Sequence, residues 1–437
     1  MTRFLATLLC PGDAFVDVGT HIGFFSLRAS SLVGKSLREP MRQGLEAMMS
    51  HSLTPRILIY SVAFWPLIGG VQTIVAALAG SLADGEQQPD AMTVIVVTET
   101  PANPAFDKDL PFRVVRKPSW IELLRLLGQS DVVHLAGPAL LPLLFCLVLR
   151  KRTVVEHHGF QAICPNGLLL YEPMGTSCPG HFMAGRYREC LKCNAQRGRW
   201  KSMKLVALTF LRRWLCNFVH ANIAPTHWLE SLLRLPHTSV IWHGVRETGA
   251  LPDRTPGQPP TFVFLGRLVT TKGVHLLIEA ARELRKRGCA LRIIIIGEGP
   301  ERESLERLSQ ALGLRDVVDF VGHLSDRDVK EVLHIAVAVV MPSVAGEVFG
   351  LVAVETMMCG RPIIVPDRGS LAEVVGNGGL KFRADDVGDL AACMERLLRE
   401  PELATTLVQL SRRRTLQLFR EEQMTDAHLR LYRKVIQ

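Results

Sequence analysis

The residues best suited to chemistry are two glutamates and two basic residues in the second half of the chain. Glu347 and Glu355 bracket the run Gly346-Glu347-Val348-Phe349-Gly350-Leu351-Val352-Ala353-Val354-Glu355. At a helical rise of ~1.5 Å per residue, that spacing spans about 12 Å. A carboxylate has two accepting oxygens and suits paired hydroxyls. Two of them so placed can hold both ends of an elongated nucleotide sugar, while the backbone amides between them meet its phosphates. On spacing alone, a cap charge and a surface helix residue are the simpler account. Arg267 follows Gly266 at the end of an apolar run, and Lys272-Gly273 opens the next segment. Two cations at a strand's carboxyl end, beside a helix start, attract phosphate. Taken singly, a solvated basic turn explains them equally.

Three further groups could act. Gly69-Gly70 precedes a helical pattern, and paired glycines let a backbone approach a ligand closely. Glu156-His157-His158-Gly159 ends the apolar stretch 153–155. Cys164, Cys178, Cys190 and Cys193 lie close together, the last two as C-x-x-C. Structural disulfides are rare in the cytoplasm, so these four read either as a structural zinc knot or as buried free thiols.

Parallel-sheet elements must position these groups. Near-continuous apolar runs predict strands at 261–265, 291–296, 317–321, 337–341 and 362–365. Runs without alternation mean burial on both faces. Helical periodicity predicts helices over 274–287, 301–312 and 325–334. The same grammar precedes them, with strands at 57–60, 93–97, 131–135, 153–155, 222–224 and 239–242, and a helix over 71–82. The stretch 249–260, with Pro252, Pro256, Pro259 and Pro260, can continue neither a helix nor a central strand. The expectation is α/β with two doubly wound Rossmann-like domains, 51–248 and 261–437, facing each other across a cleft. Ligands in such sheets bind beyond the carboxyl ends of the strands.

Composition limits the classes. The chain has 437 residues, 48% hydrophobic and 21% charged, so disorder and small disulfide scaffolds are excluded. A net charge of 51 − 42 = +9 suits an anionic partner. Aromatics at 6% with four Tyr count against a base-stacking platform, so no nucleic-acid partner is expected. The start shows no cleavable leader pattern, so a cytoplasmic location is the expectation. The apolar run 132–149 has the length of a membrane span, but His134, Gly137, Pro138 and Pro142 within it favour a strand and a buried helix. Basic residues beside that apolar surface leave room for peripheral contact with an anionic membrane.

Ordered motifs from 261 to about 382 resemble glycosyltransferase family 4, retaining transferases of the GT-B fold. They are Phe264-Leu265-Gly266-Arg267-Leu268, Lys272-Gly273, Ile295-Ile296-Gly297-Glu298-Gly299-Pro300, Val321-Gly322, the Glu347 to Glu355 run, and Met358-Cys359-Gly360-Arg361-Pro362. Val348 departs from the family's usual Gly or Pro after the first Glu. The resemblance implies that Arg267 and Lys272 hold a donor diphosphate and stabilise the departing nucleotide. It places Glu347 at the donor sugar, Glu355 at the ribose, Gly266 and Gly297 in the nucleotide pocket, and the amides around Phe349, Gly350 and Leu351 at the phosphates. Gly69 and Gly70 would line the donor and acceptor cleft, and His158 would stand near the transferred sugar, with His157 one place away as the alternative. His243-Gly244-Val245 stands where the family has Asn-Gly-Val. The last helix would cross back to the first domain.

The implied activity is hexosyl transfer from a nucleoside diphosphate sugar to a glycan or lipid-linked acceptor, without a catalytic cofactor or divalent metal. Its setting would be cell-envelope polysaccharide synthesis. Asp107-Lys108-Asp109 and Asp326-Arg327-Asp328 imitate a metal-binding D-x-D but read as solvated loop charges. A sugar-nucleotide epimerase on the same fold, or a non-catalytic sugar-nucleotide or membrane-binding module, are the alternatives. Residues 1–50 contain Asp17-Val18-Gly19-Thr20-His21-Ile22-Gly23, which resembles the first motif of FkbM-like S-adenosylmethionine-dependent methyltransferases. A lone β-turn-α piece cannot bury its apolar face, so it reads as a remnant, with Met48 and Met49 as alternative starts.

Overall fold

The structure, a computed structural model, describes residues 55–67, 69–83, 92–101, 104–249 and 258–437. The methyltransferase-like stretch lies outside them.

The first sheet holds β1 (Arg56–Ser61), β2 (Thr93–Thr98), β3 (Arg113–Arg116), β4 (Val132–Ala136), β5 (Arg152–Glu156), β8 (Ala221–Ala224) and β9 (Thr238–Val240). Their order is β3-β2-β1-β4-β5-β8-β9. Between β5 and β8 lies a small hairpin of β6 (Leu170–Tyr171) and β7 (Thr176–Ser177). The second sheet holds β10 (Thr261–Leu265), β11 (Arg292–Ile296), β12 (Val318–Gly322), β13 (Ala336–Val340), β14 (Ile363–Pro366) and β15 (Leu380–Phe382). It runs β12-β11-β10-β13-β14-β15. Both sheets are parallel throughout. In each, the order reverses beside its first strand, which creates a crevice at the carboxyl ends of β1 and β4, and of β10 and β13.

The apolar runs behave as double-sided burial requires. Leu58 and Tyr60 join a cluster with Val133 and Leu135. Ile57 and Ile59 face the opposite layer with Val94 and Val96. In the second sheet Phe262 and Phe264 take one face, and Val263 with Ile294 the other. At ~25 cal/mol per Å² of apolar area, these two-faced strands are the main stabilising feature of both domains.

The helix Glu421–Ile436 returns to the first sheet, where Met424 and Tyr432 are buried in its core. The chain thus passes between the domains twice, and the passages are bonded together. Val245 N–H donates to the Phe419 carbonyl at 2.9 Å, and Glu421 N–H to the Val245 carbonyl at 3.1 Å. Gly244 lies against this crossing so tightly that a Cβ would sit 2.5 Å from the Arg420 carbonyl oxygen. A second tie is electrostatic. The Glu373 carboxylate accepts from the N–H groups of His227 at 2.8 Å and Trp228 at 2.6 Å, at the start of the helix His227–Leu233.

Several expectations shift. The helix after β4 is short, Leu140–Val148, and only one face is buried; Leu141, Leu144 and Val148 are exposed. The predicted strand 239–242 ends at Val240, because Trp242 turns into the interdomain aromatic cluster. β3 was not expected, since its ends are arginines. Asp107 is more than a solvated loop charge: it holds Arg116 through bonds of 2.7 and 2.8 Å. Asp326 and Asp328 begin the helix Asp326–Ile335 behind its Ser325 N-cap, where acidic residues complement the helix dipole.

Candidate functional site

The basic turn after β10 is built by close backbone approaches. Gly297 adopts a φ of +131°, and a Cβ there would lie 2.0 Å from the Gly266 carbonyl oxygen. Gly273, at φ +64°, leaves no room for a Cβ, which would meet the Pro342 oxygen at 2.1 Å. These contacts press the turn Thr270–Lys272 against the loop after β13. Thr271 O accepts from Val344 N–H at 2.9 Å and Ala345 N–H at 3.2 Å. Lys272 is thereby brought into an ion pair with Glu347. Ser370 Oγ donates to the Glu347 carbonyl at 2.9 Å and fixes that loop from the other side. Arg267 is exposed at the same strand end.

The helix Leu351–Met358 starts at Gly350, in the left-handed region at φ +95°. Its first turn leaves N–H groups without intrahelical partners, including those of Leu351 and Val352. Gly70 lies opposite, where a Cβ would be 3.5 Å from the Leu351 side chain. Gly69 O accepts from Thr73 N–H at 3.0 Å and so starts the facing helix. The structure therefore brings the glycine pair of the first domain to the glutamate-bearing helix of the second. Glu355 lies on the exposed side of that helix. The protein mass around it, then the negative charge of Asp326, raises its carboxyl above the ordinary value. The Phe349 ring does not face the cleft. It is buried between His243, at 4.8 Å, and Phe419, at 5.6 Å, which leaves only its backbone available to a ligand.

A cavity of about 320 Å³ opens beside Glu347. Its walls include Ser343, Gly346 and Ser370 from the second domain, Trp228 from the first, and Ser177 and Gly180 from the cysteine-bearing insertion.

His158 belongs to a network that sequence reasoning missed. Glu156, fully buried at the end of β5, receives His134 Nε2 at 3.1 Å and His243 Nε2 at 3.1 Å. His158 Nε2 stands 3.2 Å from Glu156, and His428 Nε2 at 3.7 Å. Burial alone would push Glu156 up. The charge of His158 and the bonds from His134 and His243 outweigh it and hold the carboxyl well below the usual range. Burial, then the Glu156 charge, raises Tyr432 well above the ordinary phenol. It therefore stays protonated and donates to His134 Nδ1 at 2.8 Å, leaving His134 Nε2–H to donate to Glu156. Burial lowers both His134 and His243, against the Glu156 bonds that raise them. His158 stacks on His243 at 5.1 Å, and His243 touches Phe349. His158 thus connects to the glutamate loop through two ring contacts. His157 is buried and bonded to Asn222 Oδ1 at 3.0 Å, in the core. The signal available in the sequence was a charged residue closing an apolar strand. Its partners from the last helix were not readable.

Two groups in this network have ligand atoms within 4.8 Å of one another: His134 with Glu156 and His428, and Glu156 with His158 and His243. The four cysteines line a separate small cavity.

These features define an α/β protein of GT-B architecture, with a cation-and-carboxylate site where two switch points meet. Residues 252–414 match the model of the family Glycosyl transferases group 1. Alpha-D-kanosaminyltransferase of Streptomyces kanamyceticus is 35% identical over 161 residues, covering 36% of this chain and 40% of that one. A GDP-mannose-dependent alpha-(1-6)-phosphatidylinositol monomannoside mannosyltransferase of Mycobacterium tuberculosis is 26% identical over 377 residues, covering 80% and 91%. The chain spans less than half the length of the first curated relatives it matches, 40% and 42%. Among solved structures, sucrose-phosphate synthase from Thermosynechococcus elongatus superposes with a TM-score of 0.63 at 21% identity, covering 87% of this chain and 99% of that one. Anabaena HepE in complex with UDP and glucose gives 0.63 at 18% identity, covering 87% and 100%.

Burial of neutral His157 fixes the sign of a pH dependence. Burial, opposed by the Asn222 bond, lowers it from 6.5 to about 4. Between those values the unfolded chain takes up a proton that the folded chain does not. Stability is present in full above pH 6.5 and falls toward pH 4, by roughly 3 kcal/mol for this group. Its charged neighbours are His158, Glu156 and Arg213. Lowered His134, His243 and Glu156 act in the same direction. Thermal melts should show Tm falling as pH drops from neutral, with a shallower slope in His157→Gln. A flat profile, or an unchanged slope in the variant, contradicts this.

Proposed function

We propose that the chain is a retaining glycosyltransferase acting on a nucleoside diphosphate sugar, with a glycan or lipid-linked acceptor. The observation that carries this is the Lys272–Glu347 pair at the carboxyl ends of β10 and β13, beside the start of the Leu351–Met358 helix. The pair keeps both charges compensated until a donor arrives. The donor's diphosphate then takes Lys272 and Arg267, and Glu347 is freed to accept from the sugar hydroxyls. Amides of the first helical turn cap the phosphates. Glu355 accepts from the ribose hydroxyls.

In the transfer, the bond from the anomeric carbon to the diphosphate breaks. A bond from the acceptor oxygen forms on the same face, and the acceptor's proton passes to the departing phosphate. Arg267 and Lys272 stabilise the charge that develops on the leaving group, a task that asks for no divalent metal. His158, near the sugar in this reading, is oriented by Glu156. The Glycosyl transferases group 1 match, 252–414, covers most of the domain assigned to the donor. The first domain and the insertion are assigned to the acceptor.

A membrane face supports a lipid-linked acceptor. Among the described residues no helix is long and apolar enough to cross a membrane. The helix Arg199–Leu215 instead exposes Trp200 (82%) and Trp214 (58%) with Lys201 and Lys204. It packs beside the helix Leu140–Val148 with its exposed Leu141, Leu144 and Val148. Aromatic and aliphatic side chains interleaved with cations suit an anionic interface.

Donor use is tested by incubating the chain with UDP, GDP and ADP sugars and following nucleotide release without added divalent cation. One donor should turn over. Arg267→Ala should lower kcat by roughly 100-fold or more, and Glu355→Ala should raise the donor KM. Full activity in both variants contradicts the site.

Sedimentation with phosphatidylglycerol-containing vesicles tests the membrane face. Binding is expected, with roughly a tenfold or greater loss when Lys201→Glu and Lys204→Glu are combined. Equal binding to neutral vesicles, or no loss in the variant, contradicts it.

A further inference from the structure

The cysteine-bearing insertion, assigned above to the acceptor, forms a wall of the cleft. Ser177, Cys178, Pro179 and Gly180 line the cavity beside Glu347. Little regular structure holds this segment. Between Cys164 and Cys193 it contains the two-residue strands β6 and β7 and the seven-residue helix Tyr187–Cys193. A two-stranded hairpin is marginal by itself, and compact segments of this kind commonly need a covalent or metal staple.

The cysteines arrive from three directions. Cys164 precedes the hairpin and Cys178 directly follows β7. Cys190 and Cys193 stand three apart on the helix, hence on one face. All four border one cavity of about 10 Å³, room for about one water-sized particle. They are free thiols, and Cys164, Cys190 and Cys193 are buried. Donors already point at sulfur. Glu172 N–H reaches Cys193 Sγ at 3.4 Å, and Asn166 Nδ2 reaches it at 3.5 Å. Asn166 Oδ1 also receives the Cys164 thiol at 2.9 Å. The two N–H donors at Cys193 are of the kind that orients thiolate metal ligands from outside, and the Cys164 proton held by Asn166 would be released on metal binding.

We propose that Cys164, Cys178, Cys190 and Cys193 bind one structural zinc ion, which staples the hairpin to the helix and fixes the cleft wall. Four sulfur donors around a site for one small occupant select zinc by geometry and softness. Coordination at ~2.3 Å requires the cysteine side chains to turn toward the cavity they share. The histidine network around Glu156 is the competing home for a metal, because its ligand atoms lie within 4.8 Å of one another, a closeness the four sulfurs do not share.

The test is metal analysis of the purified full chain, grown with zinc, together with X-ray absorption at the zinc edge. Expected are about one zinc per chain and four sulfur scatterers at about 2.3 Å. Cys190→Ser combined with Cys193→Ser should abolish zinc retention, and Glu156→Gln should leave it intact. Less than a few tenths of an equivalent of zinc overturns the proposal. So do iron in its place, nitrogen and oxygen scatterers at about 2.0–2.1 Å, or zinc retained by the double cysteine variant. The wild-type spectrum decides the matter even if that variant fails to fold.

Discussion

The architecture depends on the place where the chain crosses itself. Backbone bonds between Val245 and the Phe419 to Glu421 segment hold the two passages together. Trp242, Phe349 and Phe419 pack around them. The joint is small, so it directs the two sheets toward each other without merging their cores. Their carboxyl ends, where parallel sheets gather loops and helix starts, therefore face one another. Gly244 permits this approach because it presents no side chain to the Arg420 backbone. Phe349 anchors the glutamate loop to the same joint. A change in interdomain angle would thus be felt by the loop that carries Glu347.

Charge is managed differently on the two sides of the cleft. In the second domain, Lys272 and Glu347 are partly exposed and paired, an arrangement a diphosphate can exchange. In the first, Glu156 is fully buried and surrounded by four histidines. Removing a partner from such a buried cluster leaves an uncompensated charge, at a cost of several kcal/mol. The first arrangement suits turnover of a ligand. The second suits holding His158 in one orientation while tying the last helix, through His428 and Tyr432, to β4 and β5.

Much of this was legible in the sequence because parallel strands write themselves plainly. The run Ile293 to Ile296 is apolar on both faces, and the glycines around Arg267 and Lys272 mark close backbone approaches. Boundaries moved by a residue or so, as strand ends do. What could not be read were contacts that fold topology creates. His134 meets Tyr432, and Glu156 meets His428, across most of the chain. No local pattern announces them. The burial of the Phe349 ring in the interdomain aromatic cluster was not readable either, because a loop residue's backbone and side chain can serve opposite sides. The exposed tryptophans of the Arg199–Leu215 helix went unread because its basic residues interrupt the apolar stripe.

The central claim is that one ligand joins both switch points. Hydrogen–deuterium exchange of the full chain with and without UDP, GDP or ADP tests it most directly. The account predicts that one nucleotide slows exchange at 266–273 and 346–355 together, with coupled protection at 69–71 as the domains close. Protection confined to other segments, or none with any of the three nucleotides, would contradict it.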